Sequence, residues 1–342
     1  PDVVVHAVAA RDQARADAFA KKWGISKAYG GAGAYQKLLD DPEVEVVYNP
    51  LPNGLHYEWT MKALAAGKHV LLEKPSADTA EETRKMFELA EKKGLVLLEA
   101  FHYRFHPAPQ GAKEILDSGE LGEIQSMEVS LAIPAGFFKD DDIRLKYDLG
   151  GGAMMDMGCY AMSTARYLAS ADPLRVESAS ADTSSAFPKI DLGTTAHLAF
   201  PSVAEGSTVP VTLDVHFRLP WRLGIIPAWP RVAVHVKCAR GELTLFNYIG
   251  PHFYHYITVK KTDERGKVVE SRTEKRYGEG ERYGWSTYRF QLEALVDKIR
   301  GRTPQHWFDA EDSIANMQWI ERVYEATSLG ARPASTAEVP SA

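Results

Sequence analysis

Apolar residues in the first third of the chain come in short bursts separated by helical repeats. Val3–Ala9 reads as a buried strand, and Asp12 to Trp23 follows with apolar residues at helical spacing. Asp12 has the chemistry of an N-cap and Gly24 that of a stop. Val44–Asn49 predicts the next strand, broken by Pro50-Leu51-Pro52-Asn53-Gly54. Leu55–Ala66 predicts a helix ended by Gly67, and His69–Leu72 a third strand ending at Glu73-Lys74-Pro75. Thr79–Lys93 is a strong helix, with Thr79 as cap and Glu82 at the capping-box position. Gly94 ends it, and Leu95–Ala100 is a fourth strand. Strands alternating with helices, without hairpin turns, predict a parallel sheet covered on both faces. Such sheets bind ligands at the carboxyl ends of their strands. Here those ends are Ala9–Asp12, Asn49–Asn53, Glu73–Pro75 and Glu99–Arg104.

The texture changes near Gly122. Glu123–Ala132 reads as a strand, and Gly150–Ala169 as a glycine run opening a helix. Strand-like segments then dominate: Leu174–Ala181, Thr194–Phe200, Val211–Leu219, Val232–Val236, Glu242–Tyr248 and Phe253–Lys260. Repeated strands without intervening helices predict a mainly antiparallel sheet. Helices over Thr287–Arg300 and Asp309–Leu329 follow. The predicted fold class is therefore α/β: a parallel, helix-covered sheet over 1–121, then an α+β domain with an open antiparallel sheet over 122–330. Residues 331–342, rich in Pro, Ala and Ser, are expected to form a loose tail.

A length of 342 residues accommodates two domains. The net charge of −6 argues against a general nucleic-acid binder, which needs a basic surface. No apolar run is long enough to span a bilayer, and no signal peptide precedes the first strand. Cys159 and Cys238 stand far apart, in no metal-binding spacing, which fits a reducing compartment; a cytoplasmic location is expected.

Four constellations carry candidate chemistry. Lys74, at a strand end, projects to where cofactor and substrate would meet, and its charge can stabilise an alkoxide or lower a neighbour's pKa; a solvated lysine before a turn proline is the plain alternative. Asp156 and Tyr160 are four residues apart and share a helix face. A tyrosine beside a lysine can act as general acid/base; a core aromatic is the alternative. Glu99 to Pro107 places His102, Arg104 and His106 on one loop suited to a polar ligand, or to packing at the domain junction. His102 and His106 lack a third ligand at convincing spacing, so no metal site is expected. Arg11 ends the first strand where a dinucleotide-binding sheet usually carries an acidic ribose ligand; an arginine there suits a 2′-phosphate, favouring NADP over NAD. The plain alternative is an exposed Arg11 beside a capping Asp12.

Five segments together resemble the glucose–fructose oxidoreductase / inositol dehydrogenase family (Gfo/Idh/MocA). They are Ala7–Asp12, Asn49–His56, His69–Pro75, Glu99–Pro107 and Gly150–Tyr160, in the family's order. Many members carry Asp-x-x-x-His after the glycine run. Asp156-x-x-x-Tyr160 instead resembles the branch with glucose–fructose oxidoreductase, NADP-dependent D-xylose dehydrogenase and dimeric dihydrodiol dehydrogenase. The resemblance implies a Rossmann domain and a second domain that pairs across a homodimer. It implies catalytic roles for Lys74, Tyr160 and Asp156. Cofactor contacts are implied at Arg11, Asn49, Pro50, Leu51, Asn53, His56, Glu73, Lys74 and Arg104. The family's glycine-rich first loop would lie ahead of Val3; no such motif is present, and the glycines of Tyr29–Gly33 sit wrongly for it. The first strand and helix are thus expected to be lacking, through truncation or through loss of the unit, with truncation favoured and poor dinucleotide binding expected.

The expected function is hydride transfer between NADP (or NAD) and a sugar or cyclic diol, with D-xylose or another aldose oxidised at C1 first and a trans-dihydrodiol second. A non-catalytic nucleotide-sensing regulator is the rival from another class.

Overall fold

A computed structural model describes residues 3–204, 206–221 and 225–339. The first region runs β1 (Ala7–Ala10), α1 (Gln13–Trp23), β2 (Lys27–Gly30), α2 (Ala34–Asp40), β3 (Val46–Asn49), α3 (His56–Ala65), β4 (His69–Leu72), α4 (Ala80–Lys93), β5 (Leu97–Glu99) and α5 (Pro107–Asp117). The second runs β6 (Ile124–Pro134), α6 (Cys159–Ala169), β7 (Arg175–Asp182), β8 (Gly193–Pro201), β9 (Thr208–Leu219), β10 (Arg231–Cys238), β11 (Gly241–Phe246), β12 (Tyr256–Thr262), β13 (Val268–Glu274), α7 (Thr287–Ile299) and α8 (Ala310–Glu325).

The expected caps are present. Asp12 accepts from the Arg15 amide and Thr79 from the Glu82 amide, while Gly24 and Gly94 close their helices in the left-handed conformation. The parallel strands pair as two sheets, β1–β2 and β3–β4–β5. Among the described residues β1 hydrogen-bonds only β2, and β3 only β4, so Val46 and Tyr48 lie exposed along β3. The first strand begins at Ala7 rather than Val3. Its pairing starts there, and Val3, Val4 and Val5 are exposed. Leu64, Val70, Leu72, Met86 and Leu89 form the core beneath α3 and α4.

The second domain is an eight-stranded sheet ordered β13-β12-β11-β10-β6-β9-β8-β7, antiparallel except for the β6–β9 pair. Alternation along β9 and β11 turns one side chain in two into the core, where α6 packs on β6 and β9. Phe101, Tyr103 and Phe105, just after β5, are fully buried in this second core, so the chain stitches the domains together there.

The loose-tail expectation needs correction. Arg332 is buried. It donates from Nη2 to Gly151 O (2.7 Å), Asp191 Oδ1 (3.2 Å) and the Tyr324 hydroxyl (3.2 Å), and from Nη1 to Lys189 O (3.1 Å). The Ser335 amide then donates to Glu82 Oε1 on α4 (2.6 Å). A buried guanidinium needs its partners, and here they anchor the tail at Arg332; residues 340–342 lie outside the described residues. Asp191 Oδ2 in turn accepts from the Met154 amide (2.7 Å), which ties the clamp to the segment carrying Asp156. Replacing Arg332 with Ala leaves Asp191 buried without its cation. Urea unfolding is expected to show a loss of about 3–5 kcal/mol; an unchanged midpoint would mean the tail is not anchored this way.

Candidate active site

The carboxyl ends of β3, β4 and β5 meet the start of α6. Lys74 leaves β4 and donates from Nζ to Asp156 Oδ1 (2.7 Å) and to the Asp156 carbonyl (3.1 Å). Arg144 Nε donates to the other carboxylate oxygen (2.9 Å), and its Nη1 to Asp142 Oδ1 (3.1 Å). Burial opposes both charges of the Lys74–Asp156 pair. The opposite charges outweigh it, so Lys74 is raised above the usual lysine value and Asp156 is held below the usual carboxylate range. The site therefore keeps a fixed ammonium.

Two glycines make this approach possible. A Cβ on Gly150 (φ 71°) would lie 2.3 Å from Asp78 Oδ1 and 2.8 Å from Asn53 Cβ. One on Gly152 (φ 141°) would strike Asp191, Arg332 and Tyr324. The glycine run thus lets the two domains close; it is not a phosphate cradle. Met154–Gly158 is a π-helical turn leading into α6. The expected α-helical face shared by Asp156 and Tyr160 is therefore altered. Asp156 turns to Lys74 and Arg144, whereas the Tyr160 hydroxyl lies 3.1 Å from His102 Nε2.

Lys74 Nζ sits 5.0 Å from the Tyr160 ring centroid. Burial, then the nearby Glu73 charge, raises the Tyr160 pKa well above 10. The expected lowering of that pKa by Lys74 is not what the geometry gives: the ammonium faces the ring and spends its charge on Asp156. Tyr160 rests as a neutral phenol. His102 is held to about 3 by burial and by Lys74, and so is a neutral ring able to accept a hydrogen bond from the phenol.

Several expected cofactor contacts do other work. Asn49 is buried, and its Nδ2 donates to Thr60 Oγ1 (3.1 Å) and His56 O (3.3 Å). His56 is fully buried, its ring spanning Pro75 O (2.8 Å) and Leu51 O (2.7 Å). These two side chains hold the loop after β3 in shape. Asn53 Nδ2 donates to Gly150 O (2.9 Å), and Glu73 accepts from the Tyr48 hydroxyl (2.7 Å). Leu51 is half-buried and Pro50 exposed at the same loop. Arg104 is buried, with its guanidinium 3.7 Å from the Tyr167 ring centroid and Nη2 3.6 Å from Asp312, so it is a core residue of the domain junction. His106 caps α5 by accepting from the Ala108 amide, away from His102.

Arg11 does face a cleft. One of about 410 Å³ is lined by Ala9, Ala10, Arg11, Asp12, Arg15 and Tyr35. A second, about 290 Å³, adds Gly31, Gly33 and Trp59. Two arginines fit a phosphate, and Tyr35 and Trp59, packed edge to face with centroids 5.0 Å apart, add aromatic surface beside them. These residues fit the adenosine end of a phosphorylated dinucleotide. The His6–Asp41–Glu43 group has metal-ligand spacing, yet Lys27 Nζ pairs with both carboxylates there.

Residues 1–101 match the family described as an oxidoreductase family with an NAD-binding Rossmann fold, and residues 110–242 match the Gfo/Idh/MocA C-terminal domain. The chain is 36% identical over 331 residues to D-xylose 1-dehydrogenase (NADP(+)) 2 of Haloferax volcanii, covering 95% of this chain and 90% of that protein. The chain belongs to the Gfo/Idh/MocA oxidoreductase family. It is 37% identical over 158 residues to trans-1,2-dihydrobenzene-1,2-diol dehydrogenase of Mus musculus, 46% of each chain. A 3-ketoreductase from Actinomadura kijaniata, solved with NADP and TDP-benzene, has the same fold (TM-score 0.76, 26% identity, 94% of this chain and 89% of that one). As a family member the chain is an NAD(P)-dependent oxidoreductase.

Arg144, Thr287, Tyr35 and Trp59 carry no signal in the sequence, since each sits in a segment with no motif of its own. Tyr288 stacks on His102 (4.2 Å), while Trp229 is exposed and Trp221 and His216 are bonded to Ala135 and Asp182.

Burial holds His56 at about 4 and His102 at about 3, against 6.5 in the unfolded chain. The unfolded chain therefore binds more protons below pH 6.5. The stabilisation is complete above that value and declines as pH falls toward 4, by about 1.4 kcal/mol per pH unit for each histidine. Urea midpoints should fall between pH 7 and pH 5, and less steeply in His102→Asn. Equal slopes in the two proteins would exclude a buried neutral His102.

Proposed function

We propose that this protein is an NADP-preferring aldose 1-dehydrogenase, with D-xylose as the first substrate to test. The observation that supports this most is the triad of a fixed Lys74 ammonium, a neutral Tyr160 phenol and the paired Asp156 carboxylate at the strand ends. The similarity to a D-xylose 1-dehydrogenase along nearly the whole chain supports the substrate. The 2′-phosphate of NADP is held by Arg11 and Arg15, which line one cleft with Tyr35. A bound nicotinamide supplies a hydride acceptor.

The remaining work belongs to the protein. Tyr160 Oη takes the proton of the sugar C1 hydroxyl. Lys74, oriented by Asp156 and Arg144, places positive charge beside the oxygen as it becomes an alkoxide. Asp156 has both oxygens engaged, so it positions Lys74 rather than holding sugar hydroxyls. The glucose C1 hydroxyl offers the same chemistry, and so does a cyclic trans-diol. We place the enzyme in the cytosol as a homodimer. The sheet face carrying His235, Thr244, Phe246 and Tyr256, opposite the buried face of β10–β12, supports that pairing. No helix among the described residues is long and apolar enough to cross a membrane.

Two measurements test this reading. With D-xylose and NADP+, Tyr160→Phe should lower kcat by about 10²- to 10⁴-fold while leaving NADPH affinity unchanged; turnover like the wild type would remove Tyr160 from the mechanism. Arg11→Ala should raise the KM for NADP+ by about 10- to 100-fold and leave that for NAD+ nearly unchanged. Equal effects on both cofactors would place the phosphate elsewhere.

A further inference from the structure

The neutral Tyr160 phenol poses a chemical problem. To accept a substrate proton it must release its own, and it is almost fully buried. Its hydroxyl is bonded to His102 Nε2 at 3.1 Å. His102 Nδ1 lies 2.9 Å from Thr287 Oγ1, and that oxygen lies 3.4 Å from His252 Nδ1. His102 and Thr287 are buried, while His252, in the loop between β11 and β12, is partly exposed. Four side chains from four separate segments thus form an unbroken hydrogen-bonded file from the site to the surface. We propose that this file is the proton outlet of the enzyme, with His102, Thr287 and His252 relaying the Tyr160 proton to solvent. The proposal rests on Tyr160 being the acid/base.

Helix capping does not account for Thr287. It is the first residue of α7, but Ser286 supplies the cap, accepting from the Arg289 amide. The Thr287 hydroxyl is free to bridge the two histidines. His102 is held for one job as well. Tyr288 stacks on its ring, and Tyr160, Lys74 and His252 are the titratable groups around it. Its low basicity suits a ring that passes protons on without storing one.

The directions of the bonds are mutually consistent. Tyr160 donates to His102 Nε2, His102 Nδ1–H donates to Thr287, and Thr287 donates to His252 Nδ1. In substrate oxidation the C1 hydroxyl proton moves to Tyr160 Oη, and the C1–H pair leaves as hydride to the nicotinamide. The phenol proton moves to His102 Nε2, the Nδ1 proton to Thr287 Oγ1 and the Thr287 proton to His252. One proton enters the file, one reaches His252 and then water, and C1 becomes a carbonyl. Reduction runs the same path inward.

The test compares Thr287→Val, Thr287→Ser, His252→Asn and Tyr160→Phe, using D-xylose and NADP+. Thr287→Val should lower kcat by about 10²-fold, the low end for a positioned proton-transfer group, with both KM values unchanged. The solvent deuterium isotope effect on kcat should rise, and Thr287→Ser should restore both. His252→Asn should reproduce the effect from the exposed end, which covers a Thr287→Val protein that folds poorly. Nitrogen-15 NMR of the free enzyme reads the file without turnover: His102 should be a neutral Nδ1–H tautomer, and lose that preference in Thr287→Val. Wild-type kcat and isotope effect in Thr287→Val and His252→Asn, with Tyr160→Phe inactive, would overturn the relay and leave Tyr160 standing. An active Tyr160→Phe would overturn the reading beneath it. An Nε2–H or cationic His102 would overturn the relay whether or not D-xylose is turned over.

Discussion

The ion pair between Lys74 and Asp156 joins the end of β4 to the turn that opens α6. Much else is arranged around this contact between the two domains. Taking two charges out of water costs several kcal/mol unless each finds full partners. Lys74 is satisfied by the Asp156 carboxylate and carbonyl, and Asp156 by Lys74 and Arg144. The supports beneath are polar too. Gly150 and Gly152 let the backbone close on Asp78 and on the Asp191–Arg332–Tyr324 cluster, and Asp191 holds the Met154 amide two residues before Asp156. The buried tail is therefore part of the site's foundation.

That pair also divides the labour of the site. Burial, with the Glu73 charge nearby, keeps Tyr160 a neutral phenol, while the ammonium is engaged by the Asp156 carboxylate. The Tyr160 hydroxyl turns to His102 instead. The ammonium and the phenol thus make their polar contacts with different side chains, Asp156 and His102. The separation follows from the π-helical turn at Met154–Gly158, which sends Asp156 and Tyr160 in different directions.

The fold class was legible because local signals agreed, and three candidates singled out in the sequence, Lys74, Asp156 and Tyr160, lie together in the fold. Thr79 and Gly94 bracket α4 as their chemistry requires, and the strand ends put Lys74 where ligands bind. Elements lacking such signals were not legible. β2 has four residues, α2 starts on Gly33 without a side-chain cap, and β13 is charged. α5 opens on Pro107-Ala-Pro109, and proline suits the first helical turn. At the site, Arg104, Asn49 and His56 had the right chemistry and the wrong surroundings: strand-end position says nothing of burial. Arg144 and Thr287 are separated from their partners by 12 and 185 residues and belong to no motif. Only the folded chain brings them together.

The most direct test of the central claim is a double-mutant cycle in urea unfolding at pH 7 on Lys74→Met and Asp156→Asn. If the pair ties the domains, each single variant leaves a buried partner unmatched. The double variant should then be more stable than the sum of the single losses, by at least about 1 kcal/mol. Strict additivity would show that Lys74 and Asp156 act independently, and the account of the site built on their pairing would fall.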